Sequence, residues 1–402
     1  MAQGLETMPP ETSLRQRDLH VWPRYEAAAV GLRNYWYPVT WAWAVRRKPT
    51  AFRLLGEPVM LLRERGKVYA FYDQCPHRGI PLSVGRQEWP GTWSCRYHGW
   101  TFDLETGVLK AALTDGPDSP ICGKVRAKTY PVAERAGLVW MYVGDEPAPP
   151  VEADIPEAFL HPDAVIVGRI SERKGNWRYA AENGFDDAHA RYLHRYGSPW
   201  TWFKKFPAWG VPTMVPIANG QGIRREKVHD NGGFEGDYPG LGRWPKTYPW
   251  QKTGVGGGGL WLRLPGFLCS QYATHAHYEW YVPVDGGHHR YLQFLVTRAT
   301  GKDALEYRLR YWLYRRWLFH GQFNAQDGWM VRLMPESGPE RLFRPDASIV
   351  AWRRLCEHAR GAPAPEGGPV AERVEDGDDL GAAARVEQEQ GAASSAPTTG
   401  LL

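Results

Sequence analysis

The chain has 402 residues, 43% of them hydrophobic and 20 of them tryptophan, which is enough to bury the cores of two domains. Its formal net charge of +5 is mild for this length and gives no reason to expect a nucleic-acid partner. The first residues show no basic segment followed by an apolar run, no apolar stretch is long enough to span a bilayer, and the five cysteines suggest no disulfide framework. These features predict a cytoplasmic protein without a membrane span.

The first part of the chain predicts a small all-β domain at residues 32–148, after a polar N-terminal segment at 1–31. Short runs of aromatic and β-branched residues recur there, and Gly and Pro separate them. The predicted strands are LRNYWYPVTWAWAV, FRLL, VMLLRE, VYAFY, GTWSC, TFDL, KTYPVAE and LVWMYV. The Pro-rich run EPAPPVEADIP marks the end of the domain.

Two loops of this domain carry potential metal ligands: Cys75 and His77 in the first, Cys95 and His98 in the second. Structural zinc sites usually separate their first two ligands by roughly two to four residues, whereas a single residue separates Cys75 from His77. One Cys and one His in each loop is the pattern of a Rieske [2Fe–2S] cluster, in which the Cys pair holds one iron and the His pair holds the other. The pattern therefore predicts such a cluster.

The residues beside these ligands support the same interpretation. Gly79 and Gly99 allow the backbone to fold tightly over inorganic sulfides. Ile80 and Tyr97 occupy the positions at which some Rieske proteins have two additional, disulfide-linked cysteines. In this respect the chain resembles the low-potential Rieske proteins, which accept electrons from a ferredoxin. The alternatives are a zinc knuckle, or buried Cys and surface His without a metal.

Residues 149–360 predict a second domain, made of an antiparallel sheet with helices. The predicted strands are AVIVGRISER, LWLRLPGFLC, HYEWYVPV and RYLQFLVTRAT. Apolar residues at helical spacing predict helices at 303–334 and at IVAWRRLCEHAR. A Gly-rich region with little pattern precedes Gly259, and residues 361–402, which have almost no aromatic residues, predict a disordered tail.

A second group of potential ligands lies in NWRYAAENGFDDAHARYLH, which contains Asp186, His189 and His194. Histidines four or five residues apart can meet on one side of a helical turn. Two His and one carboxylate form the facial set that holds non-haem iron(II) and leaves positions open. A partly buried polar histidine is the alternative. Iron binding becomes the favoured interpretation beside a Rieske cluster, because the cluster needs an electron acceptor.

This stretch resembles a known family. The order Glu-Asn-x-x-Asp-x-x-His-x4-His, from Glu182 to His194, is similar to the iron-binding stretch of the Rieske non-haem iron ring-hydroxylating oxygenases. In that family both histidines bind a mononuclear iron, and the Asp bridges to a cluster histidine of a neighbouring subunit. The resemblance implies that His189 and His194 are iron ligands and that Asp186 is a catalytic bridge.

The resemblance also implies a third iron ligand, which the family supplies from an Asp on a late helix. Asp327, in the segment FNAQDGW, fits this position. The competing carboxylates in the same region are Asp303, Glu306 and Glu336. The hypothesis is that Asp327 completes the iron site.

Within the family, the chain is most similar to the homotrimeric carbazole 1,9a-dioxygenase type. The matching pieces are LRNYWYPV, CPHRGIPLSVG, VLKAALTD, KTYPVAE, ENGFDDAH, EWYVPVD, FNAQD and IVAWRRL. The resemblance runs from about Leu32 to His358 and weakens between Trp200 and His277, where the family forms the roof of its pocket. It implies an α+β fold: an all-β Rieske domain followed by a helix-grip-like catalytic domain. It also implies a trimer in which Asp186 bridges to His77 or His98 of the next subunit.

The function implied is that of a terminal oxygenase that inserts dioxygen into an aromatic or polycyclic substrate. Electrons would come from NAD(P)H through a separate reductase and a ferredoxin, because the sequence shows no flavin or nicotinamide site. A monooxygenase or demethylase with the same metal centres is the first alternative. A Rieske electron carrier is the second, but it would explain residues 32–145 only.

Overall fold

The structure is a computed structural model of the chain. It describes residues 22–186, 188–189, 193–196, 210–230, 237–238, 242–243, 259–272, 274–335 and 340–363. The predicted N-terminal segment up to residue 21, the predicted tail from residue 364, the competing carboxylate Glu336 and much of the pocket-roof stretch lie outside these residues.

Ten strands form three antiparallel sheets in the first part of the chain. They are β1 (Tyr35–Trp41), β2 (Thr50–Leu54), β3 (Glu57–Glu64), β4 (Lys67–Tyr72), β5 (Thr92–Ser94), β6 (Trp100–Asp103), β7 (Leu109–Ala112), β8 (Thr129–Tyr130), β9 (Val132–Arg135) and β10 (Leu138–Val143). The strand orders are β1-β10-β9, β2-β3-β4-β8 and β5-β6-β7. The all-β prediction for this region is confirmed.

Strand β3 is buried on both faces and separates two cores. Side chains alternate across a strand, so Met60 and Leu62 point into a small core that also contains Cys75 and Cys95. Val59 and the other inward residues of β3 join the larger core of the molecule. The continuous apolar run VMLL of the sequence therefore packs on one face against the core that contains the cluster cysteines and on the other face against the larger core.

The second part of the chain contains a seven-stranded antiparallel sheet. Its strands are β11 (Ala164–Lys174), β12 (Gly210–Ile217), β13 (Gly222–Asp230), β16 (Leu260–Arg263), β17 (Phe267–Gln271), β18 (Ala276–Asp285) and β19 (His288–Arg298). Their order is β11-β19-β18-β17-β16-β13-β12. The short strands β14 (Asp237–Tyr238) and β15 (Gly242–Arg243) pair with each other. The predicted antiparallel sheet with helices is confirmed.

Helices surround this sheet. They are α1 (Pro23–Ala27), α2 (Glu157–Leu160), α3 (Trp177–Phe185), α4 (Gly301–Arg310), a π-helix (Tyr311–Phe323), α5 (Asn324–Leu333) and α6 (Ala347–Glu357). Short 3-10 turns occur at Ala28–Val30, Ala42–Ala44, Leu82–Val84, Val151–Ala153, Leu193–Tyr196, Ala218–Gly220 and Arg344–Asp346. In the described parts of the chain, no helix is both long and apolar enough to cross a bilayer.

Helix α3 carries one end of the second ligand group. The Asn176 side chain caps its first turn by accepting a hydrogen bond from the Arg178 N–H at 3.0 Å. Trp177 and Phe185 are fully buried on the face that packs toward the core. The helix ends at Phe185, so Asp186 follows directly at its carboxyl end.

Three expectations for the second domain were wrong in detail. The region before Gly259 contains the hairpin β12–β13, which was not predicted. Pro212 and Pro216 interrupt β12, and charged residues dominate β13, so neither strand shows clear alternation. LWLRLPGFLC is not one strand: it folds into β16 and β17, joined by a turn at Leu264–Gly266. The predicted helix at 303–334 has a central π-helix between two α-helices.

Candidate metal centres

The two Cys–His loops share one backbone design. In the first, the Cys75 N–H donates to Ile80 O at 2.8 Å, and the N–H four residues after Cys75 donates back to its carbonyl at 2.8 Å. In the second, the Cys95 N–H donates to Trp100 O at 2.8 Å, and the equivalent return bond measures 3.1 Å. Each loop thus closes tightly around its cysteine and presents its histidine at the tip.

Glycine is required where each loop turns back. Gly79 has φ +73° and Gly99 has φ +67°, a backbone conformation that other residues rarely adopt. A Cβ at Gly99 would also lie 2.7 Å from the Leu113 Cβ. Substitution at Gly99 would therefore displace the loop that carries His98.

The four side chains of these loops suit a Rieske cluster. Cys75 and Cys95 are each only 3% exposed, and burial, reinforced by the neighbouring Cys95 thiol, raises the pKa of Cys75 to about 11. The rings of His77 and His98 lie 4.7 Å apart between centroids, and His98 Nδ1 is buried without a hydrogen-bonding partner among the described residues. Metal coordination would stabilise the thiolates that burial disfavours, and it would satisfy the imidazole nitrogen.

The arrangement differs from a site for a single metal ion. Within the described ranges, one group of three potential ligands has all its donor atoms within 4.8 Å of one another, and it does not involve these loops. A zinc knuckle needs its ligands around one ion. A two-iron cluster needs each iron to take only one pair of protein ligands, which agrees with the spacing here.

The group of three consists of His189, His194 and Asp327. Oδ1 of Asp327 lies 3.2 Å from His189 Nε2 and 3.1 Å from His194 Nε2. The side chains are 17%, 3% and 12% exposed, for His189, His194 and Asp327 in that order. The structure therefore brings together the two histidines and the carboxylate selected from the sequence, and the set leaves room for further ligands on one metal ion.

Two further groups orient the histidines. Asp186 Oδ2 lies 3.6 Å from His189 Nδ1, and Asp186 Oδ1 accepts a hydrogen bond from the Ala188 N–H at 2.8 Å. Gln326 Oε1 lies 2.8 Å from His194 Nδ1. His194 thus has a hydrogen-bonding partner on the nitrogen that faces away from Asp327, the usual way in which metal-binding histidines are held. His189 Nδ1 forms no hydrogen bond with the residues that the structure describes, and Asp186 acts on it as a nearby charge. The role of Gln326 was missed, although it stands beside Asp327 in the FNAQD segment.

The electrostatics of the site favour a bound cation. Burial alone lowers the pKa of His189, but Asp186 and Asp327 outweigh it and raise this pKa to about 10. Burial alone would raise the pKa of Asp327, but His189 and His194 lower it far below its usual range. The carboxylate therefore stays ionised and attracts positive charge to the space between the rings. A divalent metal ion supplies that charge while leaving both imidazoles neutral.

Asn324 connects Asp327 to a buried acid. Its Nδ2 lies 2.8 Å from Tyr291 Oη, 3.1 Å from Glu279 Oε1 and 3.4 Å from Asp327 Oδ2. Tyr281 donates a hydrogen bond to Glu279 Oε2 at 2.5 Å. Neither Asn324 nor Glu279 was assigned a role from the sequence, because their meeting depends on the packing of α5 against β18.

Gly184 permits the close approach of α3 to this network. A Cβ on residue 184 would lie 1.8 Å from Tyr281 Oη. No rotation of the tyrosine ring around its own axis moves that oxygen, so only glycine fits. The glycine of the ENGFD segment thus has a packing role between the Asp186 end of α3 and the Glu279 side chain.

The two competing carboxylates that the structure describes do not approach the site. Asp303 and Glu306 are exposed on α4, and Glu306 forms an ion pair with Arg310. At the cluster loops, Arg78 and Arg96 are exposed. The Arg78 guanidinium lies 5.9 Å from the centre of the Tyr97 ring.

Comparison with known proteins places both regions in families. Residues 35–130 match the family described as Rieske [2Fe–2S] domain. Residues 142–362, more than half of the chain, match the family described as homotrimeric ring hydroxylase.

Individual relatives agree with these matches. The terminal oxygenase component of carbazole 1,9a-dioxygenase from Sphingomonas sp. is 33% identical, over 88% of this chain and 99% of that protein. The terminal oxygenase from Novosphingobium sp. KA1 superimposes with a TM-score of 0.73 at 31% identity, over 85% of this chain and 97% of the other. A fluorene-bound variant oxygenase of carbazole 1,9a-dioxygenase, in complex with ferredoxin, gives a TM-score of 0.75 at 31% identity, over 85% and 94%.

Proposed function

The chain belongs to the homotrimeric ring hydroxylases, which join a Rieske domain to an oxygenase domain, and we propose that it is the terminal oxygenase of a dioxygenase acting on carbazole-like polycyclic substrates. It is an oxidoreductase that incorporates molecular oxygen. Its cofactors are a Rieske [2Fe–2S] cluster and a mononuclear non-haem iron. When bound, these groups supply single electrons and the activation of dioxygen.

The cluster would be held by residues of the two loops at the tip of the first domain. Cys75 and Cys95 would bind the buried iron, and His77 and His98 would bind the outer one. The depth of the thiols shields their side of the cluster from water. The exposed side of His77 leaves the outer iron accessible to an electron donor.

The mononuclear iron would be held by His189, His194 and Asp327. Asp186 would orient His189, and Gln326 would orient His194, through the contacts at 3.6 Å and 2.8 Å. The burial of this set excludes bulk water from the reacting centre, so that electrons are used for substrate oxygenation.

Electron delivery would involve two partners. Ferredoxin, supplied with electrons by an NAD(P)H-dependent reductase, would reduce the cluster through the exposed histidine side. The protein forms a homotrimer, and Asp186 would bridge to a cluster histidine of the next subunit in a head-to-tail ring. The unpaired cysteines suit the cytoplasm, which we propose as the location. We also keep the domain limits 32–148 and 149–360 as proposals.

The observation that carries this function is the presence of two distinct metal sites in one chain. An electron carrier requires the Cys–His loops alone, and it gives no reason for a buried two-histidine, one-carboxylate set. Iron analysis separates the two functions: the oxygenase holds about three irons per chain, and a carrier holds about two.

Product analysis tests the reaction itself. The purified trimer, a surrogate ferredoxin and its reductase would be supplied with carbazole, fluorene and related heterocycles under isotopically labelled dioxygen. We expect products that carry both atoms of one dioxygen molecule. Products with one labelled oxygen atom would instead establish the monooxygenase alternative.

A further inference from the structure

A row of polar side chains lies along one face of β18 and ends beside the iron site. His277 and Glu279 occupy alternate positions in β18, so they point to the same side of the strand, and His275 directly precedes the first residue of the strand. His275 is half-buried at the edge of the sheet, next to the exposed Thr274, whose Oγ1 lies 3.0 Å from His275 Nδ1. His277 and Glu279 are 8% and 5% exposed. The row therefore leads from the protein surface into the interior.

The inner end of the row contacts the ligand set through one amide. His277 Nε2 lies 3.5 Å from Glu279 Oε1, and the same oxygen accepts a hydrogen bond from Asn324 Nδ2 at 3.1 Å. Asn324 lies 3.4 Å from Asp327 Oδ2. Glu279 is thus separated from an iron ligand by a single side chain.

A fourth residue joins the row from the π-helix. The His320 ring stacks on His277 with centroids 5.4 Å apart, and it is fully buried. Tyr311 Oη lies 3.1 Å from His320 Nδ1. In i→i+5 geometry the nine residues from Tyr311 to His320 make about two turns, which places both on the sheet side. The unusual helix geometry thus delivers an imidazole to the row.

The histidines of the row share an unusual feature. The Nε2 atoms of His275, His277 and His320 are all buried, and none has a hydrogen-bonding partner among the residues that the structure describes. Buried polar atoms are nearly always paired, since leaving one unpaired costs free energy. Three such atoms in one row point to exchangeable partners, such as protons carried between neighbouring groups and water.

The reaction requires protons at a buried place. Addition of both atoms of dioxygen to an aromatic double bond takes two electrons and two protons, and gives a dihydrodiol. Ferredoxin supplies the electrons, but the protons must come from water outside the site.

We propose that His275, His277 and Glu279, with His320 as a side branch, form the path that carries these protons from the surface to the iron site, an inference that rests on the function proposed above. A neutral imidazole accepts a proton on one nitrogen and releases one from the other. The two histidines can therefore pass protons inward without a net change in their own charge. Glu279 is the last side chain of the path before Asn324. Asn324 keeps its carboxylate directed at the site.

The charges around the row suit this role. Burial lowers the pKa of His277, and it lowers that of His275 to about 4, with Arg315 contributing. Burial also lowers the pKa of His320, and the nearby charges of Arg169, Arg173 and Arg316 lower it further. At neutral pH the imidazoles are therefore uncharged, the state in which each offers one donor and one acceptor.

A test on the purified trimer needs no catalysis. Hydrogen–deuterium exchange at the imidazole C2 position, read by mass spectrometry, reports protonation and solvent access for each histidine. We expect exchange at His277 in the wild-type protein, and a severalfold slower rate in His275→Gln. His289, a buried histidine on β19 outside the row, serves as the internal control and should not change. An unaltered His277 rate in His275→Gln would overturn the path.

The loaded enzyme provides the second test. Glu279→Gln and His277→Gln keep the side-chain shape approximately and lose proton transfer. We expect both to lower turnover by roughly tenfold to a hundredfold, to raise the solvent isotope effect, and to leave iron content unchanged. Glu279→Asp should restore part of the turnover, and the matched variant His289→Gln should behave as wild type. Wild-type turnover and isotope effect in Glu279→Gln would contradict the inference.

The two tests also separate this inference from the proposed function. If no aromatic substrate is oxygenated, the function falls, while the exchange test still reports whether protons reach His277. If oxygenation occurs and both tests give wild-type behaviour, the function stands and the proton path falls.

Discussion

His189 Nδ1 lies 3.6 Å from Asp186 Oδ2, while the opposite nitrogen of the same ring lies 3.2 Å from Asp327. The imidazole is therefore held between two carboxylates, one on each side. Because Asp186 follows directly on the last residue of α3, the helix end determines the ring orientation. The charge of Asp186 therefore acts on the iron site, although Asp186 is not one of the proposed iron ligands.

Asp186→Asn should separate metal binding from turnover. The amide keeps the shape of the carboxylate but loses the charge that orients His189 and, in the trimer, a cluster histidine. We expect the variant to retain both metal centres and the trimer, to accept electrons into its cluster at the wild-type rate, and to give no product. Stopped-flow reduction and product assays measure these properties, and normal turnover would exclude the bridging role.

Mixed trimers provide the control for electron transfer between subunits. Chains lacking only the cluster are combined with chains lacking only the mononuclear iron. Part of the activity should return, because some boundaries then pair an intact cluster with an intact iron site. Absence of recovery in well-formed mixed trimers would mean that electrons do not cross between subunits.

The mononuclear site should lose its metal selectively when its ligands are removed. His189→Ala or His194→Ala should remove one iron per chain and all oxygenation, and Asp327→Ala should weaken iron binding. Gln326→Leu, which removes the partner of His194 Nδ1, should lower iron affinity by roughly 10- to 100-fold. Metal analysis checks each variant, with the unchanged cluster spectrum as the control. Full iron retention in Asp327→Ala would move the third ligand elsewhere.

The cluster should depend on both thiols. Cys75→Ser or Cys95→Ser should abolish it, since a thiolate is needed to hold the ferric iron on that side. Replacement of His77 or His98 should change or abolish its absorption and paramagnetic resonance spectra. Cys122 is a free cysteine outside the two cluster loops and serves as the control. Cys122→Ser should leave the spectra as in the wild type. A colourless wild-type protein that binds only zinc would disprove the cluster.

Ferredoxin docking should depend on the exposed arginines beside the cluster histidines. Charge reversal at Arg78 or Arg96 should slow cluster reduction by ferredoxin and reduce the dependence of that rate on salt, because surface charges mainly affect the association rate. Lys302→Glu, an equally exposed change on α4, is the matched control. Equal rates in all variants would place the docking surface elsewhere.

Acid should destabilise the fold partly through His289. This imidazole is 2% exposed, its Nδ1 lies 2.8 Å from Gly175 O, and burial lowers its pKa from 6.5 to about 4. Since the folded pKa lies below the unfolded one, its contribution is complete above pH 6.5 and is lost as the pH falls toward 4, by at most about 3 kcal/mol. Denaturant unfolding at several pH values should show a smaller acid loss in His289→Gln. An identical loss in both proteins would contradict this assignment.

Local patterns in the sequence were sufficient for most of the first domain and for the ligands. Strands such as β3 and β10 are apolar runs bounded by Gly turns, and that pattern is independent of the rest of the fold. The spacing around His189 and His194 is equally local. Asp327 could be selected only through the resemblance to the family. It lies far from His189 and His194 in the sequence, and that separation does not show whether the three residues meet in the fold.

The remaining features depend on tertiary packing. Strand β13 carries the consecutive charged residues Arg224 to Lys227, so its sequence resembles a loop. The π-helix follows from how Tyr311 and His320 meet the sheet, which no helical periodicity reveals. Glu279 lies on β18 and Asn324 on α5, and only the folded chain brings them within 3.1 Å.

The tight contact at Gly184 also limits how this site can change by mutation. A Cβ there overlaps the Tyr281 hydroxyl, and that hydroxyl is bonded to Glu279. A first substitution at Gly184 would therefore disturb both the helix end that carries Asp186 and the acid beside Asn324. A smaller residue must appear at 281 before any side chain becomes tolerable at 184. The limited space between residues 184 and 281 thus requires the change at 281 to come first. A mutational path that begins with a substitution at 184 is not tolerated.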